Sequence, residues 1–134
     1  MFQTTVRVRY AETDRFGVVY HSNYFLYMET GRTEYLRSLG LPYSELEKKG
    51  IYLVVTECGC RFRAPATYDD MLKVATRIGA RTKTRVRFDY DIENAESGKP
   101  LAHGFTTLAC VDKTGRPAQI PPDLAAMLER AETS

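Results

Sequence analysis

An α+β fold, one long helix on a largely antiparallel sheet, is what the sequence predicts, on three observations. Apolar residues alternate from Phe2 to Tyr10, recur at three- and four-residue spacing from Asn23 to Leu39, and alternate again in four segments after Gly50. The turns joining those four segments are short, and parallel neighbours need a crossover of a dozen or more residues. The helix is then the natural cover for one sheet face, with the other face and the edges left to solvent or to another subunit.

Each element follows from its own pattern. Phe2, Thr4, Val6, Val8 and Tyr10 share one face of the first strand, with Arg7 and Arg9 opposite. The helix carries Tyr24, Phe25, Met28, Tyr35, Leu36 and Leu39 on its apolar stripe; Ser22 or Asn23 is placed to cap it, and Gly40 with Pro42 to stop it. Gly31 lies on that stripe, where close approach to the sheet offsets a cost of up to about 1 kcal/mol relative to alanine. A short helix is predicted from Tyr43 to Lys49, ending at Gly50. Tyr52, Val54, Thr56, Cys58, Cys60 and Phe62 are then expected on one face of a long strand, and Leu72, Val74, Thr76 and Ile78 on one face of the next. Val86, Phe88, Tyr90 and Ile92 alternate with charged residues in another strand, and Leu101 to Val111 forms the last. Turns fall at Glu96–Pro100 and Lys113–Pro117, and a final helix at Pro122 to Glu132.

The 134 residues correspond to a single domain spanning 1–134, since domains run roughly 100–200 residues. At that size folding buries about two-thirds of the chain's surface, enough for a core without metals or disulfides. Nineteen basic and 17 acidic residues leave a charge of +2, without the clustered excess that marks nucleic-acid or polybasic membrane binding. No apolar run approaches the roughly 18–20 residues that cross a bilayer. The start, MFQTTVRVRY, lacks a signal-peptide layout, and three cysteines fit reduced thiols. The expected compartment is the cytosol, with no nucleic-acid or membrane partner.

The motifs of serine hydrolases, phosphate-binding loops, dinucleotide folds and zinc proteases are absent. Cys58 and Cys60 stand two apart, too close for the usual zinc spacing, and read as small buried hydrophobes; no metal is expected. What remains is Tyr10-Ala-Glu-Thr-Asp14-Arg-Phe-Gly17-Val-Val-Tyr20-His21-Ser-Asn23-Tyr24, joining the first strand to the long helix. A helix N-terminus presents unpaired N–H groups and the positive end of a dipole. A carboxylate beside such donors can act as general base or nucleophile while they hold a developing oxyanion. Pattern alone leaves Asp14 open between that role and a turn-forming or dipole-pairing one.

This segment from Arg9 to Phe25, with Glu29-Thr-Gly-Arg32-Thr-Glu34-Tyr35-Leu36 and the later block Arg61-Phe62-Arg63-Ala64-Pro65-Ala66-Thr67-Tyr68-Asp69-Asp70-Met71-Leu72, resembles the 4-hydroxybenzoyl-CoA thioesterase family of acyl-CoA hydrolases. The match runs from Thr5 to about Pro121. It implies the hot-dog fold, a sheet wrapped around one long helix. By position, Asp14 matches the family's catalytic aspartate, as base or nucleophile, and the His21 backbone N–H matches the donor that polarises the thioester carbonyl. Gly17, by a positive φ or close approach to the acyl chain, Tyr20, Asn23 and Tyr24 are the expected substrate-side residues, Asn23 more as a loop anchor. Arg81, Lys83, Thr84 and Arg116 fall near positions that contact coenzyme A in the family. Glu12 matches no catalytic position; Glu29, on the helix, is the runner-up base.

The implied activity is hydrolysis of acyl-CoA, or of an acyl-carrier-protein thioester, without a cofactor. The implied assembly is a homodimer joined edge to edge, paired again into a homotetramer. Two alternatives share the scaffold: a hydratase or dehydratase of acyl thioesters, and a non-catalytic acyl-CoA or acyl-carrier-protein binder.

Overall fold

The computed structural model describes residues 1–132. Five strands, β1 (Phe2–Arg7), β2 (Tyr52–Phe62), β3 (Met71–Arg81), β4 (Arg85–Asn94) and β5 (Pro100–Val111), form one sheet in the order β1-β3-β4-β5-β2. Every neighbouring pair is antiparallel. Helix α1 (Asn23–Ser38) packs on the sheet, α2 (Tyr43–Lys48) follows it, and α3 (Pro122–Glu132) closes the described chain. This is the hot-dog arrangement that the resemblance implies. Among the described residues no helix is long and apolar enough to cross a membrane.

The core lies between α1 and the inner sheet face. Leu72, Val74 and Thr76 of β3 and Val86, Phe88, Tyr90 and Ile92 of β4 are buried beneath Tyr24, Tyr27, Met28, Tyr35 and Leu36. Gly31 is also buried there, with Thr76 and Val74 directly beneath it, so the expected close approach holds. Arg32 departs from the helical pattern. It is buried, its Nε donating to the Tyr43 hydroxyl at 2.9 Å and an Nη to that of Tyr90 at 3.3 Å.

Strand β1 ends at Arg7, three residues short of the predicted limit; Val8 is still buried, but the chain coils into a 3-10 turn at Tyr10–Glu12 and Tyr10 is exposed. The single face expected along β2 is corrected by a β-bulge. Val55 pairs with Leu108 and Glu57 with Thr107, which leaves Thr56 as the extra residue. Because side chains alternate with period two, the extra residue switches the face. Leu53 and Val55, opposite buried Cys110 and Leu108, point toward α1 before the bulge; Cys58, Cys60 and Phe62, opposite Thr106, Gly104 and Ala102, do so after it. Tyr52 and Val54 therefore point the other way. Cys58 is exposed and Cys60 half-buried, so the expectation that both are buried is also corrected; only Cys110 is. β2 is an edge strand, and Val54, Val55 and Phe62 on it are exposed.

Candidate active site

The segment between the 3-10 turn and α1 folds back on itself as a small loop. Thr13 and Val19 form a bridge, and Asp14 N–H donates to Val18 O at 2.8 Å. Between them the chain turns tightly: Gly17 N–H donates to Asp14 O at 3.0 Å, with Gly17 at φ 79°, a conformation glycine adopts without strain. The positive φ expected of Gly17 is present. Phe16 N–H donates to Asp14 Oδ1 at 2.8 Å, which fixes the carboxylate and leaves Oδ2 uncommitted. The loop is tied to the connection between β2 and β3 by the Val18–Thr67 bridge and by Val19 N–H donating to Ala66 O at 2.8 Å.

The start of α1 differs from the expected cap. Ser22 is the N-cap, but its side chain makes no capping bond. Instead the first turn is wound tightly, with Asn23, Tyr24 and Phe25 N–H groups donating to the carbonyls of Tyr20, His21 and Ser22 at 2.9–3.2 Å. These bonds use the amides that a cap would satisfy. Among the described residues the His21 N–H has no acceptor, and it stands at the positive end of the α1 dipole.

Asp14, His21 and Tyr24 line one cavity of about 360 Å³, completed by Val18, Val19 and the stretch Phe62–Pro65. The Tyr24 and Phe62 rings meet edge to face at 5.2 Å, and His21 stands against Phe62 at 6.3 Å. Phe62 reaches this wall because of the bulge at Thr56. Asn23 and Tyr20 support the loop without lining the cavity: Asn23 Nδ2 donates to Glu12 O at 2.9 Å, and the Tyr20 ring lies against His21. Glu29 is exposed on α1 and borders a different hollow, with Arg7, Arg9 and Leu26, so the chain does not bring it to Asp14.

Arg81, Lys83, Thr84 and Arg116 lie at the other end of the sheet. Arg81 ends β3 and pairs with Glu132 at 3.0 Å; Lys83 O accepts from Ile120 N–H at 2.8 Å. Strands of this length separate them from the Asp14 cavity by about 30 Å at roughly 3.3 Å per residue. One chain does not bring the two groups together. Sequence reading had no periodic signal for Arg63, Ala64 and Pro65 as lining residues, since they lie in an irregular connection. Among the described residues no three His, Cys, Asp or Glu side chains converge as a metal-ligand set.

Comparison with known proteins places the chain's fold and family. Residues 8–128 match the thioesterase-like superfamily. The chain is 35% identical over 127 residues to the acyl-CoA thioester hydrolase YbgC of Escherichia coli O157:H7, covering 94% of each. Among solved structures, the DHNA-CoA thioesterase of Staphylococcus aureus superposes with a TM-score of 0.92 at 32% identity, over 98% of this chain and 90% of that one. A hypothetical protein of Thermus thermophilus gives 0.91 at 40% identity, over 96% and 98%.

Proposed function

The chain belongs to the thioesterase-like superfamily, and from that premise we propose that it hydrolyses acyl-CoA, with Asp14 and the His21 N–H as its working groups. The observation that carries this reading is the meeting, in one cavity, of a fixed carboxylate with a free oxygen and an unpaired amide at a helix N-terminus. The amide polarises the thioester carbonyl and holds the oxyanion as it forms, a contribution of roughly 2.7–4 kcal/mol to the barrier. As base, Asp14 takes a proton from water while the water oxygen bonds to the carbonyl carbon. The C–S bond then breaks, and the departing thiolate recovers a proton. As nucleophile, Asp14 bonds to that carbon itself, expels the thiolate, and water cleaves the resulting anhydride. Both routes depend on the same carboxylate.

The acyl group is read into the cavity walled by Tyr24 and Phe62, and the pantetheine arm out past the loop. Arg81, Lys83, Thr84 and Arg116 reach such a substrate only from a second copy. The long β2 edge supplies that geometry: two β2 strands paired antiparallel about a two-fold axis set the Phe62 end of one beside the Tyr52 end of the other. Tyr52 pairs with Val111, next to the turn that carries Arg116. A homodimer, or a homotetramer built from it, is the assembly this requires; coenzyme A or a carrier protein presents the thioester.

The test is release of free thiol from acyl-CoAs, aliphatic from C2 to C18 and benzoyl-type, by wild type and Asp14→Asn side by side. At least one substrate is hydrolysed, and the variant loses about 10²-fold or more, the scale of a positioned base. No thiol release from any substrate overturns the activity. Full activity in a folded Asp14→Asn overturns the assignment of Asp14.

A further inference from the structure

Glu12 is the one carboxylate of the loop segment that is buried, only 7% exposed, and its hydrogen bonds run to its own 3-10 turn, to the far end of the loop and to α1. Its Oε1 accepts the Arg9 N–H and the Tyr27 hydroxyl, each at 2.9 Å, and its Oε2 accepts Arg9 Nε at 2.9 Å. Arg9 is where β1 gives way to the 3-10 turn; Tyr27 is on the buried side of α1, one turn into the helix. The Glu12 carbonyl accepts twice more, from Tyr20 N–H and from Asn23 Nδ2, both at 2.9 Å. These five acceptor bonds join the residue that opens the 3-10 turn, the far end of the loop, the start of α1 and its second turn. Only Thr13 separates Glu12 from Asp14, and Tyr20, a donor to the Glu12 carbonyl, is the residue next to His21.

We infer that Glu12 is a positioning residue, the clamp that sets the Asp14 carboxylate in register with the His21 N–H. The inference rests on the thioesterase reading of that pair. Glu12 itself borders a separate hollow on the other side of the loop and does not line the Asp14 cavity, so it acts through Asp14 and not on substrate. Without Glu12 the loop is held from outside on one side only, by the Val18–Thr67 bridge and the Val19–Ala66 bond, and is free to tilt about that side; a displacement near 1 Å at the reacting groups costs up to about 10²-fold in rate. Removing bonds to Glu12 therefore lowers turnover and leaves most of the substrate affinity in place, because the Tyr24 and Phe62–Pro65 walls of the acyl cavity do not ride on the loop.

The experiment measures kcat and KM for thiol release by wild type, Glu12→Gln, Tyr27→Phe, Asp14→Asn and the double variant Glu12→Gln/Asp14→Asn, with thermal melts of each. Glu12→Gln keeps the acceptor for Arg9 N–H and Tyr27 but sets an amide against Arg9 Nε. It is expected to lower kcat about tenfold with KM within about twofold, and Tyr27→Phe to do so about threefold. In the double variant the Glu12 change adds less than about twofold to the loss from Asp14→Asn, because both act through one group. If Asp14→Asn is impaired while Glu12→Gln and Tyr27→Phe keep wild-type kcat, the clamp is refuted and the site stands. A loss that follows the unfolded fraction in the melts, or a full tenfold further loss in the double variant, also refutes it. Wild-type activity in Asp14→Asn removes the underlying reading and the clamp with it.

Discussion

Gly31 of α1 rests directly on Thr76 of β3. A Cβ at position 31 would stand 2.5 Å from Thr76 Oγ1 and 2.9 Å from Val74 Cγ1, both on stiff β-branched side chains inside the core. Alanine gains up to about 1 kcal/mol in helix propensity, but overpacking a filled core costs about 1–3 kcal/mol. Gly31→Ala is therefore expected to destabilise the fold by about 1–2 kcal/mol. Chemical denaturation reads this as a lower midpoint at unchanged slope.

The same contact predicts a substitution of opposite sign. Thr76 Oγ1 is buried and, among the described residues, has no hydrogen-bond partner. An unsatisfied buried hydroxyl costs about 1–3 kcal/mol, and a methyl group of similar shape does not carry that cost. Thr76→Val should raise stability by about 1 kcal/mol; a fall in the unfolding midpoint would show that the hydroxyl serves the packing.

Acid should loosen the site through Glu12. Burial alone would raise its pKa, but the Arg9 N–H, the Arg9 guanidinium and the Tyr27 hydroxyl outweigh burial and hold the carboxyl below its ordinary 4.5. A carboxyl depressed on folding contributes stability that is present above the unfolded pKa and lost as pH falls through the folded one. Melting temperature should drop as pH falls below about 4.5, and Glu12→Gln, already less stable at neutral pH, should show a shallower drop. Asp91 shifts in the same direction: burial opposes it, but Arg77 and His103 prevail, so some slope persists in the variant.

Cysteine chemistry is not expected at this site. Burial pushes the Cys60 thiol up to about 11, so almost none is thiolate at neutral pH. Cys60→Ser should keep kcat/KM within about twofold at pH 7, and a hundredfold loss would reopen a thiol mechanism.

The β2 edge gives a prediction about assembly. Val55 faces the α1 side of the sheet yet is 47% exposed, and among the described residues β2 has no neighbour on its outer edge. Val55→Lys should set like charges near each other across a paired edge and reduce the mass in sedimentation to that of one chain, with activity lost in parallel. An unchanged mass would place the contact elsewhere.

The sequence made regular elements legible and irregular ones less so, for a physical reason. In β3 and β4 each apolar residue at Leu72–Ile78 and Val86–Ile92 is separated by one neighbour, and period two is a direct image of two sheet faces. Gly31 was legible because a glycine on an apolar stripe has few other uses. Thr56 was not: a bulge is one residue long and has no period. Arg32 and Tyr27 escaped because their polar tips find partners, Tyr43, Tyr90 and Glu12, that are remote in the chain. Asp14 and His21 were placed by family resemblance, whereas the free His21 N–H depends on the tight first turn of α1, and that is visible only in the hydrogen bonds.

The extra residue in β2 carries a consequence for how the sequence can vary. Loss of Thr56 alone would make Val55 and Glu57 consecutive opposite Leu108 and Thr107, so the bulge would close into a regular ladder and every residue from Glu57 to Phe62 would keep its face. The ring of Phe62 would stay in the wall of the Asp14 cavity and Arg61 on the outer face. Thr56 is therefore a position in β2 at which a single-codon deletion should be tolerated, whereas a residue inserted between Glu57 and Phe62 would turn Phe62 outward unless a second bulge absorbed it.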